Sequence, residues 1–341
     1  MKKSLLAFAV LGAFAGVASA QTSVTVYGSF DGGLRNVTNV NAAGNSRLTM
    51  GSAGTYNSNR LGFRGVEDLG GGNNAHFVLE NGFNSGTGAQ VGDLFGRQAF
   101  VGLGGKWGSL DFGRQYTIAF KVTAAYDPFA YKYTTIAPAV ASTAGVRFNN
   151  DIQYTGTFGP LTARAEYAVG EVAGNTSVGS AQAVGLSYNA GPLSLGAAYT
   201  ERDIATNPLT PTTGFDNKHF TVGGAFKLGN SLKFSAGYVH QKQATTTIDT
   251  ETKWSWIGAA YDFTPALQAT YAFYQTKVEA TPTLNGRKDM HMIGATYALS
   301  KRTNFYAEMD YSKLYGASRI GTAPTIQNDQ TGISVGINHT F

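Results

Sequence analysis

The sequence contains no cysteine in 341 residues, which excludes disulfide cross-links, thiolate metal sites and cysteine nucleophiles. Charged side chains are scarce, 14% against a usual ~25%. Proline occurs only 9 times, too rarely for a disordered proline-rich tract. Basic residues form no run that would serve a nucleic acid, so none is expected as a partner. Beyond the first twenty residues no apolar stretch is long enough for a transmembrane helix. Glycine, by contrast, is abundant at 44 residues, nearly double the usual ~7%.

Residues 1–20 begin with Lys2 and Lys3, continue through an apolar run and end in Ala18-Ser19-Ala20. A cationic start, an apolar middle and an A-x-A end predict a secretory signal peptide cleaved before Gln21. A membrane helix is the rival reading, but the run falls short of the ~20 residues needed to span. Residues 21–341 then form one mature domain; loss of the two lysines lowers the formal net charge from +5 to +3. Export without a helical span leaves a secreted or periplasmic protein, or a β-barrel in an outer membrane.

Apolar and polar residues alternate strictly in segment after segment. Leu161, Ala163, Ala165 and Tyr167 interleave with Thr162, Arg164 and Glu166; Phe305, Ala307, Met309 and Tyr311 interleave with Tyr306, Glu308 and Asp310. Period two predicts strands with one apolar and one polar face. Tight turns rich in Gly, Pro, Asn and Ser are expected at 69–73, 104–108, 158–160, 189–192, 229–231, 263–266 and 299–303. Longer stretches, among them 38–57, 204–216, 279–287 and 316–328, alternate with them. Seven short turns and eight long loops connect sixteen strands of about 10–12 residues, near the 9–11 that a tilted strand needs to cross a bilayer. A soluble β-sandwich also alternates, but its interior would not hold Arg164, Glu166, Glu308 and Asp310. An apolar exterior around a polar interior is the inverse arrangement of a transmembrane barrel. Tyr188, Tyr199, Tyr261, Phe263 and Tyr297 fit its interfacial girdles. The expected fold is all-β, a 16-stranded antiparallel transmembrane barrel, wide enough for an aqueous channel.

Residues 23–31 (SVTVYGSFD), 58–69 (SNRLGFRGVEDL), 96–103 (GRQAFVGL), 108–115 (GSLDFGRQ) and 335–341 (VGINHTF) resemble the general porins of Gram-negative outer membranes, most closely their β-proteobacterial branch. The resemblance covers essentially the whole mature chain. It implies a trimer of barrels in outer-membrane lipid, with short periplasmic turns and longer extracellular loops. It also implies that the third long loop folds inward, opposite a ladder of basic residues, to form a constriction. Asn338 stands where the branch usually has arginine, and Asp127-Pro128-Phe129-Ala130 stands where enteric members have Pro-Glu-Phe-Gly.

Strand parity sends Arg60, Arg64, Glu80, Arg97 and Arg147 into the lumen, opposite outward Leu61, Phe63, Phe77, Leu79, Phe100 and Phe148. The family's arginine ladder carries over onto Arg60, Arg97 and Arg147, and its opposing loop acid onto Asp127; Arg64 and Glu80 are secondary lumen charges. At 4 Å and an effective dielectric near 20 one charge pair is worth about 4 kcal/mol, against about 1 kcal/mol in bulk water. Charge rings in pores select by sign on that basis. Three arginines against one aspartate predict a moderate anion preference in a pore for small hydrophilic solutes and ions.

No cofactor or metal is expected. The histidines are 76, 219, 240, 291 and 339, with none paired at metal-binding spacing, and no G-x-S-x-G elbow occurs. Catalysis is therefore not expected. The alternative is a substrate-specific channel for one anion or sugar. An aromatic track would suit that role, yet inward Tyr27, Tyr274 and Tyr306 form no visible series.

Overall fold

The alternating segments fold as antiparallel strands because period-two patterning puts every apolar side chain of a strand on one face of the pleat. The computed structural model describes residues 23–52, 54–205, 214–245, 247–322 and 324–341; the expected leader lies outside them. In chain order the first strands are β1 (Ser23–Val37), β2 (Arg47–Met50), β3 (Arg60–Gly70), β4 (Asn73–Gly82), β5 (Gln98–Gly105) and β6 (Gly108–Tyr116). Two short helices follow, α1 (Ile118–Thr123) and α2 (Pro138–Ala141). Then come β7 (Arg147–Phe158), β8 (Leu161–Ala168), β9 (Ala181–Ala190), β10 (Leu193–Ala205), β11 (Gly214–Leu228) and β12 (Leu232–Gln243). The chain closes with β13 (Thr250–Asp262), β14 (Leu267–Glu279), β15 (Gly286–Ala298), β16 (Thr303–Gly316) and β17 (Asp329–Thr340).

From β3 onward each strand pairs with the next, and β17 returns to β1 in a register running from Ser29↔Thr340 to Val37↔Gly332. The sheet is thereby closed, with no free edge. β2 and β3 pair with successive parts of β1, residues 34–37 and 23–29. They form one interrupted stave, and the barrel has sixteen. The gap between them is filled by Asp31, whose Oδ2 accepts hydrogen bonds from the backbone N–H groups of Tyr56 (2.8 Å) and Asn57 (2.7 Å).

The seven short turns fall at one end of the barrel, where the sequence pattern puts them. The loops at the other end differ in detail from the expectation. The stretch 38–57 contains β2, and the loop expected at 204–216 is shortened because β10 and β11 stay paired out to Ala205↔Gly214. Strands reach 15 residues, longer than a bilayer crossing demands, since backbone pairing in a hairpin continues as long as its two arms stay in register.

Val24, Val26, Val184, Leu186, Ile333 and Val335 are all at least half exposed on the outer wall, the surface that lipid covers in such a barrel. Tyr188, Tyr261, Phe263 and Tyr297 are exposed at the short-turn end, whereas Tyr199 lies mid-strand in β10. Inward Ser29, Asp31, Gln153, Thr221 and Ser334 are buried and polar. One part of the interior departs from that rule. Ile118, Val122, Tyr126, Phe129 and Tyr133 of the loop between β6 and β7 form an apolar cluster with Trp256, Tyr274, Met290, Met292 and Tyr306 of the wall. The third long loop is therefore inside the barrel, as the resemblance implies, and it carries its own small core.

Candidate functional site at the pore constriction

The loop leaves the wall at a β-bulge between Gly113 and Gln115. Gly113 has φ +131°, and a Cβ there would lie 2.2 Å from the Ala99 carbonyl oxygen, so only glycine fits the departure. Thr117 caps α1, its hydroxyl accepting from the Phe120 N–H at 3.3 Å. Both Glu166 carboxylate oxygens accept from the Ile118 N–H.

The loop then crosses a row of wall glycines. A Cβ on Gly185 would meet Ile118 Cγ2 at 2.3 Å, one on Gly196 would meet Val122 Cγ1 at 2.8 Å, and one on Gly223 would meet Tyr126 Cδ2 at 2.3 Å. Farther along, Gly258 lies under Pro128 (2.6 Å) and Gly294 under Phe129 (3.0 Å). Missing side chains on β9, β10, β11, β13 and β15 thus make a groove that seats the loop against one side of the lumen. Polar pins hold it there: Tyr126 Oη to Thr221 Oγ1 at 2.7 Å, and Trp256 Nε1 donating to the Tyr126 carbonyl at 3.0 Å.

Opposite the groove four of the expected lumen charges come together in one network. Arg97 donates from Nε to Glu80 Oε1 (2.7 Å) and from Nη2 to the Tyr116 hydroxyl (2.8 Å). Arg147 donates from Nη2 to the same hydroxyl (2.9 Å) and lies 4.5 Å over the Tyr116 ring. Tyr27 donates to the other Glu80 oxygen at 3.0 Å, and Arg64 sits over the Tyr27 ring at 5.4 Å. Arg60 donates to Asn57 Oδ1 at 2.8 Å. Arg64, Glu80, Arg97 and Arg147 are thus connected through two tyrosines.

Asp127 is not where the resemblance puts it. Its side chain is fully buried between loop and wall, accepting from the Tyr131 N–H (2.8 Å) and the Tyr274 hydroxyl (2.9 Å). Burial pushes its pKa above the usual aspartate value. It anchors the loop and does not face the arginines. Tyr274 and Tyr306 are likewise taken up in packing, so they line no track; Tyr306 donates to Asp31 Oδ1 at 2.7 Å.

Sequence reasoning missed Tyr116, the shared acceptor of two arginines. The bulge just before it breaks the parity by which its neighbours were assigned. A stack runs from Tyr116 to Phe120 (4.4 Å between centroids) and on to Tyr131 (4.3 Å). Of the two loop lysines, Lys121 is held behind the loop by Gln115 and Gln153. Lys132 lies 5.1 Å over the Tyr56 ring, and burial with Arg60 nearby lowers its pKa to about 8. Among the described residues no group of His, Asp and Glu has the arrangement of a metal site.

The lumen therefore has a charged, hydrogen-bonded wall facing an inserted loop, which is the geometry of a filter in an open channel. The family model for Gram-negative porins matches residues 7–316. An outer-membrane porin of Delftia acidovorans is 33% identical and one of Bordetella pertussis 31%, each alignment covering both chains in full. The solved anion-selective porin from Comamonas acidovorans superposes with a TM-score of 0.81 at 26% identity, over 94% of this chain and 100% of that one. These relatives are channels, not enzymes. The chain belongs to the Gram-negative porins and is an outer-membrane porin.

Proposed function

We propose that this pore passes small hydrophilic solutes and ions with a moderate preference for anions, filtered by Arg60, Arg97 and Arg147. The observation that carries this reading is the balance of charge at the constriction. Three guanidiniums and Lys132 converge there, while the carboxylate of Glu80 is held by Arg97 and Tyr27 and that of Asp31 by Tyr306 and the Tyr56 and Asn57 N–H groups. Low-dielectric walls focus such a field into the water-filled gap and raise the local anion concentration. The name of the anion-selective relative agrees with it. We read the assembly as a homotrimer in outer-membrane lipid, with residues 1–20 removed on export and no catalytic role.

Reversal potentials of the reconstituted protein in a planar bilayer under a salt gradient test the preference. A potential of the sign set by anion flux is expected, and a clear cation preference would refute the reading. Cross-linking in mild detergent tests the trimer.

A further inference from the structure

Beneath the constriction loop lies a cavity of about 290 Å³ whose lining contains none of the filter arginines. Its roof is loop residues 128–133; its floor is the inner wall of β11 to β15 near the short turns, the periplasmic end in this family. Three lysines line it: Lys132 from the loop, Lys227 from β11 and Lys233 from β12. Lys227 and Lys233 are directly opposed in the β11–β12 register. Like charges in that position destabilise a sheet. Among the described residues none of the three lysines has a carboxylate within 4.0 Å. Asp262, the carboxylate of the lining, accepts instead from Gln268 Nε2 at 2.7 Å.

Asp127 acts on Lys233 and Asp31 on Lys132 only from a distance, so three ammonium groups around one polar cavity leave room for compensating charge from outside. We propose that the cavity is a holding site for small divalent oxyanions, Lys132, Lys227 and Lys233 supplying the donors. The inference rests on the channel reading above and adds to it. Anions that pass the arginines enter a second cationic station before the periplasm. A divalent anion spans two of the lysines and is held, whereas chloride makes a single contact and moves on. The same lysines would hold an inorganic phosphate or the two carboxylates of a short dicarboxylate.

Calorimetric titration of the purified, folded protein with inorganic phosphate and, separately, with succinate tests this at constant ionic strength. Saturable binding of at least one of them is expected in the wild type and in Arg147→Gln. It should weaken about tenfold or more in Lys227→Gln/Lys233→Gln, as the loss of a charge-assisted hydrogen bond implies. Lys132→Gln alters the loop alone and should weaken binding without touching a strand, which keeps the test open if the double variant does not fold. Binding of one anion and not the other upholds the site and identifies which oxyanion it takes. Absence of saturable heat with both anions, or unchanged binding in Lys132→Gln and the double variant, overturns the site. So does loss of binding in Arg147→Gln alone. Wild-type reversal potentials in potassium chloride report the arginine filter independently, so failure of the filter and failure of the cavity are separate results.

Discussion

Arg97 and Glu80 stand 2.7 Å apart, Nε to Oε1, where β4 meets the start of β5. One of the three ladder arginines is thus bound to a wall carboxylate, and that pairing sets how much net positive charge the constriction presents. Removing the acid and removing an unpaired arginine should have opposite effects.

Glu80→Gln is expected to raise the anion preference, since Gln keeps one oxygen to accept from Arg97, turns its amide N–H toward the Tyr27 hydroxyl oxygen and carries no charge. Arg60→Gln and Arg147→Gln should lower it by about two- to fivefold in permeability ratio, the scale of a screened interaction of up to ~1 kcal/mol. Reversal potentials read all three. The effects should shrink in ~1 M salt, where the Debye length is ~3 Å instead of ~8 Å.

Asp127→Asn should leave the reversal potential unchanged, because the side chain is buried and held by Tyr131 and Tyr274. Tyr274→Phe deprives that buried group of a hydrogen bond at a cost of about 1–3 kcal/mol. It should loosen the loop and appear as open-channel noise in single-channel records. A change in selectivity with Asp127→Asn would put the carboxyl back in the pore.

Lys132 has its pKa lowered to about 8 by burial, with Arg60 adding to the effect and Asp31 opposing it. It carries its charge below that pH and loses it above. Anion preference should therefore fall as pH rises through 8, and the step should vanish in Lys132→Gln. The same shift makes the folded state bind fewer protons than the unfolded state between pH 8 and the ordinary lysine value of 10.5. This group's contribution to stability therefore rises with pH across that window.

Gly185→Val tests the seating groove. The added atoms meet Ile118 at the first carbon, so the loop must move away from β9 into the lumen. Lower single-channel conductance and a smaller polymer-exclusion limit are expected, with barrel folding intact by heat-modifiable gel migration. Unchanged conductance would show that the loop is not positioned by this contact.

The barrel was legible in the residues because its information is local. Leu61 and Phe63 flank Arg60 and Arg64 with opposite parity, and a pleated strand turns parity directly into lipid or lumen. Turn chemistry at positions such as 229–231 marks each reversal. The inward side of Arg60 follows from the same rule. Arg97 and Arg147 do not: Val101 and Leu103, which share the parity of Arg97, are exposed on the outer wall, and Phe148, expected outward, is buried against Ala168 and Ala181.

The path of the loop does not. No period runs through residues 117–146, so nothing in that stretch says which side of the lumen it takes or whether Asp127 faces water or wall. Those outcomes depend on contacts between residues far apart in the chain, such as Tyr126 with Gly223 and Thr221, and Tyr274 with Asp127. The sequence alone determined a closed cylinder, apolar outside and charged within. Only the tertiary structure decided where the channel narrows and which charges remain exposed there, because loop packing is a matter of fitting shapes that strand alternation does not encode.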